Sequence, residues 1–381
     1  MTLTGLDVLA GQEFSVLSGR SIGLLCNQAS IARTLDHVIE LLLPRHRAGR
    51  FHIRAVFGPE HGLWGHTQDN MIEWEGATDP RTGLVVHSLY GASREPTDEM
   101  LEGIDLFVVD IPDVGARYYT FIWSMALCMK SCAERGIPML VMDRPNPIGG
   151  MRTEGTVLEP AFASFVGLHP LPTRHAMTAG EVALYLQQTV YPNLDLEIAP
   201  CRSWTRSAYF DETGLPWAMP SPNMPSIDTA IVYPGQCLLE ATNLSEGRGT
   251  TRPFEIFGAP WVDGWRLASA LNELELPGTR FRPIQFEPTF NKYSRELCEG
   301  AFIHVTDRRA FDSVLATVAV LQQVVRLFPG RLEWKDAPYE YVWDRRPIDI
   351  LAGNDWLAGA IESQTPLSQI RERMAAEREA F

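Results

Sequence analysis

Three short apolar runs in the first half of the chain each stop at a cluster of polar residues. Ile53-Arg54-Ala55-Val56-Phe57 gives way to Gly58-Pro59-Glu60-His61-Gly62, and Ile104-Asp105-Leu106-Phe107-Val108-Val109 gives way to Asp110-Ile111-Pro112-Asp113. Ile137-Pro138-Met139-Leu140-Val141-Met142 gives way to Asp143-Arg144-Pro145-Asn146-Pro147. Apolar runs of this length between turn residues read as buried strands. A fourth run, residues 20–26, ends at Asn27-Gln28, and residues 83–90 form a further β-type stretch. Helical spacing separates them. Residues 36–43 predict an amphipathic helix stopped before Pro44, and 97–101 a brief one. Between Tyr119 and Glu134, apolar side chains recur at Phe121, Ile122, Met125, Ala126 and Met129, with Gly136 placed to end the helix. Strands alternating with helices predict an α/β fold with a mostly parallel sheet and right-handed crossovers. No GxGxxG opens a helix and no phosphate-binding P-loop is present. The expected layer is Rossmann-like without the dinucleotide fingerprint.

Beyond residue 160 the rhythm changes. Thr178-Ala179-Gly180-Glu181 is a capping-box pattern opening a helix through Val190. Residues 200–262 are rich in Pro, Gly, Trp and Asn, with little periodicity. A helix over 264–274, β-like runs at 280–287 and 301–306, an apolar helix over 310–328 and a charged closing helix predict an α+β region. At 381 residues the chain is long for one core. The expectation is a Rossmann-like N-terminal domain over 1–160 and a smaller α+β C-terminal domain over 161–381.

Composition narrows the function classes. A net charge of -14 argues against a nucleic-acid surface, which needs a basic stripe. No run approaches the roughly 20 apolar residues that span a bilayer, so no membrane partner is expected. Met1-Thr2-Leu3-Thr4-Gly5-Leu6-Asp7 lacks the basic and apolar regions of a secretory signal, which favours a cytoplasmic location. The cysteines at 26, 128, 132, 201, 237 and 298 show no CxxC or zinc spacing and are assigned no chemistry.

Polar residues just past strand ends point to an enzyme, because open parallel sheets bind ligands outside the carboxyl ends of their strands. Glu60 leads the candidates: a carboxylate at the mouth of a buried strand is placed for general acid catalysis. Its ordinary reading is a capping or salt-bridging Glu in a turn. His61, His66 and Asp69 offer loose metal spacing, or histidines that orient Glu60. Asp110 and Asp113 flank a turn, with Arg117 near enough in sequence to brace them or to contact substrate. Tyr118 and Tyr119 read either as core or as a wall on which a sugar ring stacks. The loop over 242–250 joins Gly residues to Arg248, suited to a carboxylate, and to Glu246, a second carboxylate. With Asn223 and Asn243 it supplies hydrogen-bonding types that a polyhydroxylated ligand requires.

The ordered set resembles the exo-β-N-acetylmuramidase family. The resemblance rests on Gly58-Pro59-Glu60-His61-Gly62, on the segment from Asp110 to Thr120, and on Asp143-Arg144-Pro145-Asn146-Pro147. It rests also on His175 before Met177-Thr178, on residues 220–225 and on residues 242–250, and it spans essentially the whole chain. It implies release of terminal non-reducing β-N-acetylmuramic acid (MurNAc) from peptidoglycan fragments, with two domains flanking a cleft. It also implies Glu60 as acid/base with His61 beside it, and Glu246 or Asp113 as second carboxylate unless the substrate acetamido group attacks. Arg248 or Arg117 would hold the lactyl carboxylate. Asn223, Asn243 and Asn146 would grip hydroxyls or the acetamido group, and Asn27, Tyr118, Tyr119, Arg144 and His175 complete the expected substrate set. No cofactor is expected. Pro112, Trp64 and Ala176 stand where the family pattern carries Gln, Arg and Gly. Two competing readings are a metal-dependent hydrolase built on His61, His66 and Asp69, and a non-catalytic muropeptide-binding protein.

Overall fold

The computed structural model describes residues 1–381, which form two compact units. The first comprises Met1–Gly115, Tyr119–Met151 and Ala176–Pro225. Its sheet contains β1 (Ser21–Cys26), β2 (His52–Gly58), β3 (Ala77–Thr78), β4 (Val85–Ser88), β5 (Leu106–Asp110), β6 (Met139–Met142) and a seventh strand, Leu196–Ala199. The spatial order is β3-β4-β2-β1-β5-β6 and then Leu196–Ala199, parallel throughout except for the short edge strand β3. Buried strands of a two-sided layer need near-continuous apolar runs. β5 and β6 are buried at every position.

The connections decide where a ligand can sit. From β1 the chain moves outward through β2 to β4, then returns to the other side of β1 to lay down β5. The strand order therefore reverses between β1 and β5. Leu25 of β1 pairs with Phe57 on one side and Val109 on the other, so the three strands end nearly level. The polar residues at and just past their ends, Asn27, Glu60 and Asp110, are consequently delivered to one end of the sheet, at the topological switch point.

Two expectations are corrected here. The predicted stop before Pro44 fails: the helix runs Val38–Arg47 with Pro44 inside it. Proline removes one backbone donor, but the helix continues, with Arg45 Nη1 donating to the Leu41 carbonyl at 2.9 Å. A boundary at 160 also cuts through the first unit, because Leu196–Ala199 pairs with β6. That strand escaped notice because only its last residue is fully buried, so it carries no apolar run. The predicted helices over 119–134 and from Thr178 appear as Phe121–Arg135 and Ala179–Thr189. Gly136 ends the former at φ +66°, and Thr178 and Glu181 close the capping box of the latter.

The second unit comprises Ala116–Tyr118, Arg152–His175 and Ser226–Phe381. A three-stranded antiparallel sheet (Ile256–Ala259, Cys298–Val305, Thr279–Phe286) and a two-stranded one (Glu154–Val157, Pro172–Arg174) accompany helices Ile227–Gln236, Gly264–Asn272, Ser313–Leu327 and Leu367–Ala380. Gly300 permits the close strand pairing, since a Cβ there would lie 1.8 Å from the Phe257 carbonyl oxygen. No helix is long and apolar enough to cross a membrane.

Candidate active site

β2 ends at Gly58, and Pro59 turns the chain so that Glu60 sits just past the strand, 6% exposed. Both carboxylate oxygens are engaged by neutral donors. The Thr120 hydroxyl donates to Oε2 at 2.7 Å, and the Met71 backbone N–H donates to Oε1 at 3.2 Å. The segment between Glu60 and Met71 is folded back on itself. His61 adopts φ +68° and Gly62 φ +84°. A non-glycine residue in that region is strained, and such strain concentrates at functional sites. The His61 ring returns to the Thr67 carbonyl at 2.8 Å through Nδ1, which must carry the hydrogen because a carbonyl only accepts. Asn223 fastens the same segment, its Nδ2 donating to the Gln68 carbonyl at 2.9 Å while Gln68 Nε2 reaches Asn223 Oδ1 at 3.4 Å. On the other flank Trp74 Nε1 donates to the Pro59 carbonyl at 3.0 Å.

The neighbouring strand ends are braced by their own polar residues. Asn27 Nδ2 donates to the Pro220 carbonyl at 3.0 Å, and Asn27 Oδ1 accepts from the Ala29 amide. Arg144 grips Asp110 in a fork, Nε to Oδ1 at 2.6 Å and Nη2 to Oδ2 at 2.8 Å, and Nη2 also reaches the Ile31 carbonyl. Asp110 therefore pairs with Arg144, not with Arg117. Asn146 closes its own turn, accepting from Ile148 N and donating to the Met177 carbonyl. Asp113 accepts from Gly115 N at 2.7 Å and lines a small pocket of about 40 Å³ with Arg144, Pro112, Pro145 and Trp217. Tyr119 packs edge-on against Phe121.

The remaining candidates lie in the second unit. Arg117 is fully buried, its guanidinium donating to the carbonyls of Thr156, Leu171 and Leu351. Burial pulls its pKa down to about 10. Tyr118 donates to the Pro234 carbonyl at 2.8 Å, and burial pushes its pKa upward. His175 is buried, and Asn243 bridges the Arg331 carbonyl and the Glu333 amide. Glu246 is 2% exposed between two cations, with Lys292 Nζ at 2.8 Å from Oε2 and Arg248 Nε at 3.4 Å from Oε1. Burial alone would raise its pKa, but Lys292 and then Arg248 outweigh it and hold the carboxyl below its usual range. Arg248 also donates to Glu240 Oε1 at 2.7 Å, Tyr339 donates to Glu240 Oε2 at 2.8 Å, and Lys292 caps the Leu239 and Leu244 carbonyls.

Sequence reasoning therefore missed Thr120, Met71 and Gln68 around Glu60, and Lys292, Glu240 and Tyr339 around Glu246. Thr120 closes the Asp110–Thr120 motif, so a signal for it existed. Lys292 stands alone in a polar stretch and carried none. The loose His61, His66 and Asp69 spacing does not become a metal site, since no three His, Cys, Asp or Glu side chains are grouped to hold an ion.

Comparison with known proteins bears on the whole chain. Residues 22–228 match the model of the exo-beta-N-acetylmuramidase NamZ N-terminal domain, and residues 231–381 match that of the NamZ C-terminal domain. The chain belongs to the NamZ family. It is 41% identical over 367 residues to the peptidoglycan beta-N-acetylmuramidase NamZ of Bacillus subtilis (strain 168), covering 96% of this chain and 86% of that one. Two crystal structures of DUF1343 family proteins from Bacteroides fragilis NCTC 9343 share the fold. One has a TM-score of 0.88 at 33% identity and the other 0.75 at 26%, each covering 100% of this chain and 96% of the other. Two positions where the resemblance led one to expect other residues have a structural setting of their own. Ala176 adopts φ +60°, the left-handed conformation that favours glycine, the residue that the resemblance leads one to expect there. The Arg81 guanidinium stacks over the Trp64 ring, 4.3 Å from its centroid, which places a cation beside the Glu60 loop.

Proposed function

We propose that the chain is an exo-acting glycoside hydrolase that releases terminal non-reducing β-MurNAc from peptidoglycan fragments, with Glu60 as the general acid. What supports the reading most is the setting of Glu60. It is a buried carboxyl at the carboxyl end of a central strand, beside the switch point, held by two neutral donors and by no cation. Family membership supplies the substrate class.

In this reading Glu60 delivers its proton to the glycosidic oxygen as the C1–O bond breaks, and the saccharide alcohol leaves with that proton. The positive charge left at C1 is quenched by water or by the acetamido oxygen of the substrate. A protein base or nucleophile is best sought in Asp113, which borders the pocket at the same sheet end. Glu246 is assigned to holding its loop, because two buried cations keep it ionised and enclosed. Arg117, Arg144, Asn146 and Asn243 are assigned to bracing backbone, since each is occupied by carbonyls, amides or Asp110.

The test is release of free MurNAc from MurNAc-β-1,4-GlcNAc, with a GlcNAc-terminated chain as control, for the wild type and Glu60→Gln. Release from the first substrate alone, lost in the variant, supports the reading. Full turnover by Glu60→Gln ends the assignment of the acid. Tight binding without release by the wild type makes this a muropeptide-binding protein.

A further inference from the structure

Thr120 occupies the residue before helix Phe121–Arg135, the position where threonine ordinarily caps a helix by accepting from a backbone amide. Thr120 makes no side-chain cap bond: its backbone is already helical (φ −60°, ψ −16°), whereas Thr4, Thr97 and Thr178, which cap their helices, are extended, so the Thr120 hydroxyl is not spent on a cap. The hydroxyl instead reaches 2.7 Å to Glu60 Oε2, and Thr120 is itself buried.

The chemistry explains why a hydroxyl is wanted. A general acid alternates between carboxylic acid and carboxylate in each turnover. Amide hydrogens on both oxygens would oppose the acid form, because an N–H can only donate. Carbonyl partners would oppose the carboxylate, because they can only accept. A hydroxyl does either. Oε1 is fixed as an acceptor by the Met71 N–H, so the catalytic proton resides on Oε2, beside the partner that can adapt.

We infer that Thr120 is the positioning residue of the acid: its hydroxyl holds the Glu60 carboxyl in one orientation through both protonation states, with the transferable proton on Oε2. The inference rests on the assignment of Glu60 above. Thr120 touches the acid and not the substrate, so its loss acts on proton delivery and leaves binding alone.

The experiment compares Thr120→Val, which keeps the shape and removes the hydroxyl, with Thr120→Ser, on MurNAc-β-1,4-GlcNAc and on an aryl β-MurNAc glycoside. General acid catalysis contributes roughly 100- to 10,000-fold. Thr120→Val is expected to lower kcat on the disaccharide about 10- to 100-fold with KM unchanged. On the aryl glycoside, whose leaving group departs without protonation, the loss shrinks to a few-fold. Thr120→Ser restores most of the activity. An equal loss on both substrates, a serine variant as impaired as the valine one, or valine activity within about two-fold of wild type overturns the inference. If Thr120→Val does not fold, the serine variant against Thr120→Ala on the same two substrates decides by the same criteria. Glu60→Gln measured alongside separates the failures. An inactive Glu60→Gln beside an unimpaired Thr120→Val removes only the role of Thr120, whereas an active Glu60→Gln removes the acid assignment itself.

Discussion

Glu60 and Glu246 are both buried glutamates beside glycine-rich turns, yet their surroundings differ in kind. Glu60 faces a hydroxyl and one amide, both neutral. Glu246 faces Lys292 and Arg248, and through Arg248 a second carboxylate, Glu240. A charged neighbour stabilises one protonation state strongly, and in a dry interior that preference is hard to undo. Neutral hydrogen bonds orient a carboxyl while leaving its proton exchangeable. The first environment suits a group that must gain and lose a proton in every cycle, and the second a group that must never do so.

The widest separation is expected between activity and stability losses. If Glu60 is the proton donor, Glu60→Gln removes it and keeps the shape, so kcat should fall by about 1,000-fold or more, within the range of general acid catalysis, with an unchanged melting midpoint. Glu246→Gln should do the reverse. It leaves Lys292 and Arg248 buried beside a neutral amide, and breaking a buried ion pair costs about 3–5 kcal/mol. A clear fall in the melting midpoint is therefore expected by calorimetry. A Glu246→Gln protein that melts like the wild type but is inactive would make Glu246 a catalytic carboxylate and dissolve the contrast.

Acid sharpens the same contrast. The pKa of Glu246 is lowered on folding, so its contribution to stability is fully present above its unfolded value of about 4.3 and is lost as pH falls through the lower folded value. Glu154, held below its usual range against burial by Arg174 and then Arg152, behaves likewise. The gap in unfolding free energy between wild type and Glu246→Gln should stay constant from roughly pH 7 to pH 5 and then narrow in more acid solution. A gap that widens on acidification would mean that the two cations do not hold Glu246 ionised.

Most of the sheet was legible because buried parallel strands write themselves as near-continuous apolar runs, as β1, β5 and β6 do and as β2 does apart from Arg54. Leu196–Ala199 lies on the sheet edge with three of its residues partly solvated, so no run betrays it. The place of Glu60 at a strand end was legible for a related reason: it follows an apolar run across Gly58-Pro59, a turn pair that ends a strand. The partners of Arg117, Arg144, Asn146 and Asn243 were not, because side-chain type gives bonding capacity and not the group that fills it. Each proved to be satisfied by backbone groups or an internal carboxylate from distant sequence, Arg117 by the carbonyl of Leu351 among others. Polar residues around an irregular loop do two jobs with one chemistry, gripping a sugar or gripping the chain. Only the fold tells which.

Asn223 is the residue on which that distinction is smallest in energy and easiest to read. Sequence places it among the sugar-binding amides, whereas its amide is exchanged with Gln68 in the segment that returns Met71 N to Glu60. If Asn223 fastens that segment, Asn223→Ala removes about one net hydrogen bond, or roughly 0.5–1.5 kcal/mol. The loss should appear in kcat, about three- to ten-fold, because a loosened segment disorders the acid and not the sugar. In the Glu60→Gln background the same substitution should change turnover hardly at all, the non-additivity expected of groups acting through one carboxyl. A rise in KM with kcat intact would return Asn223 to the substrate. It would also show that the Glu60 loop keeps its shape without this clasp, leaving Thr120 and the strained turn at His61 to hold it.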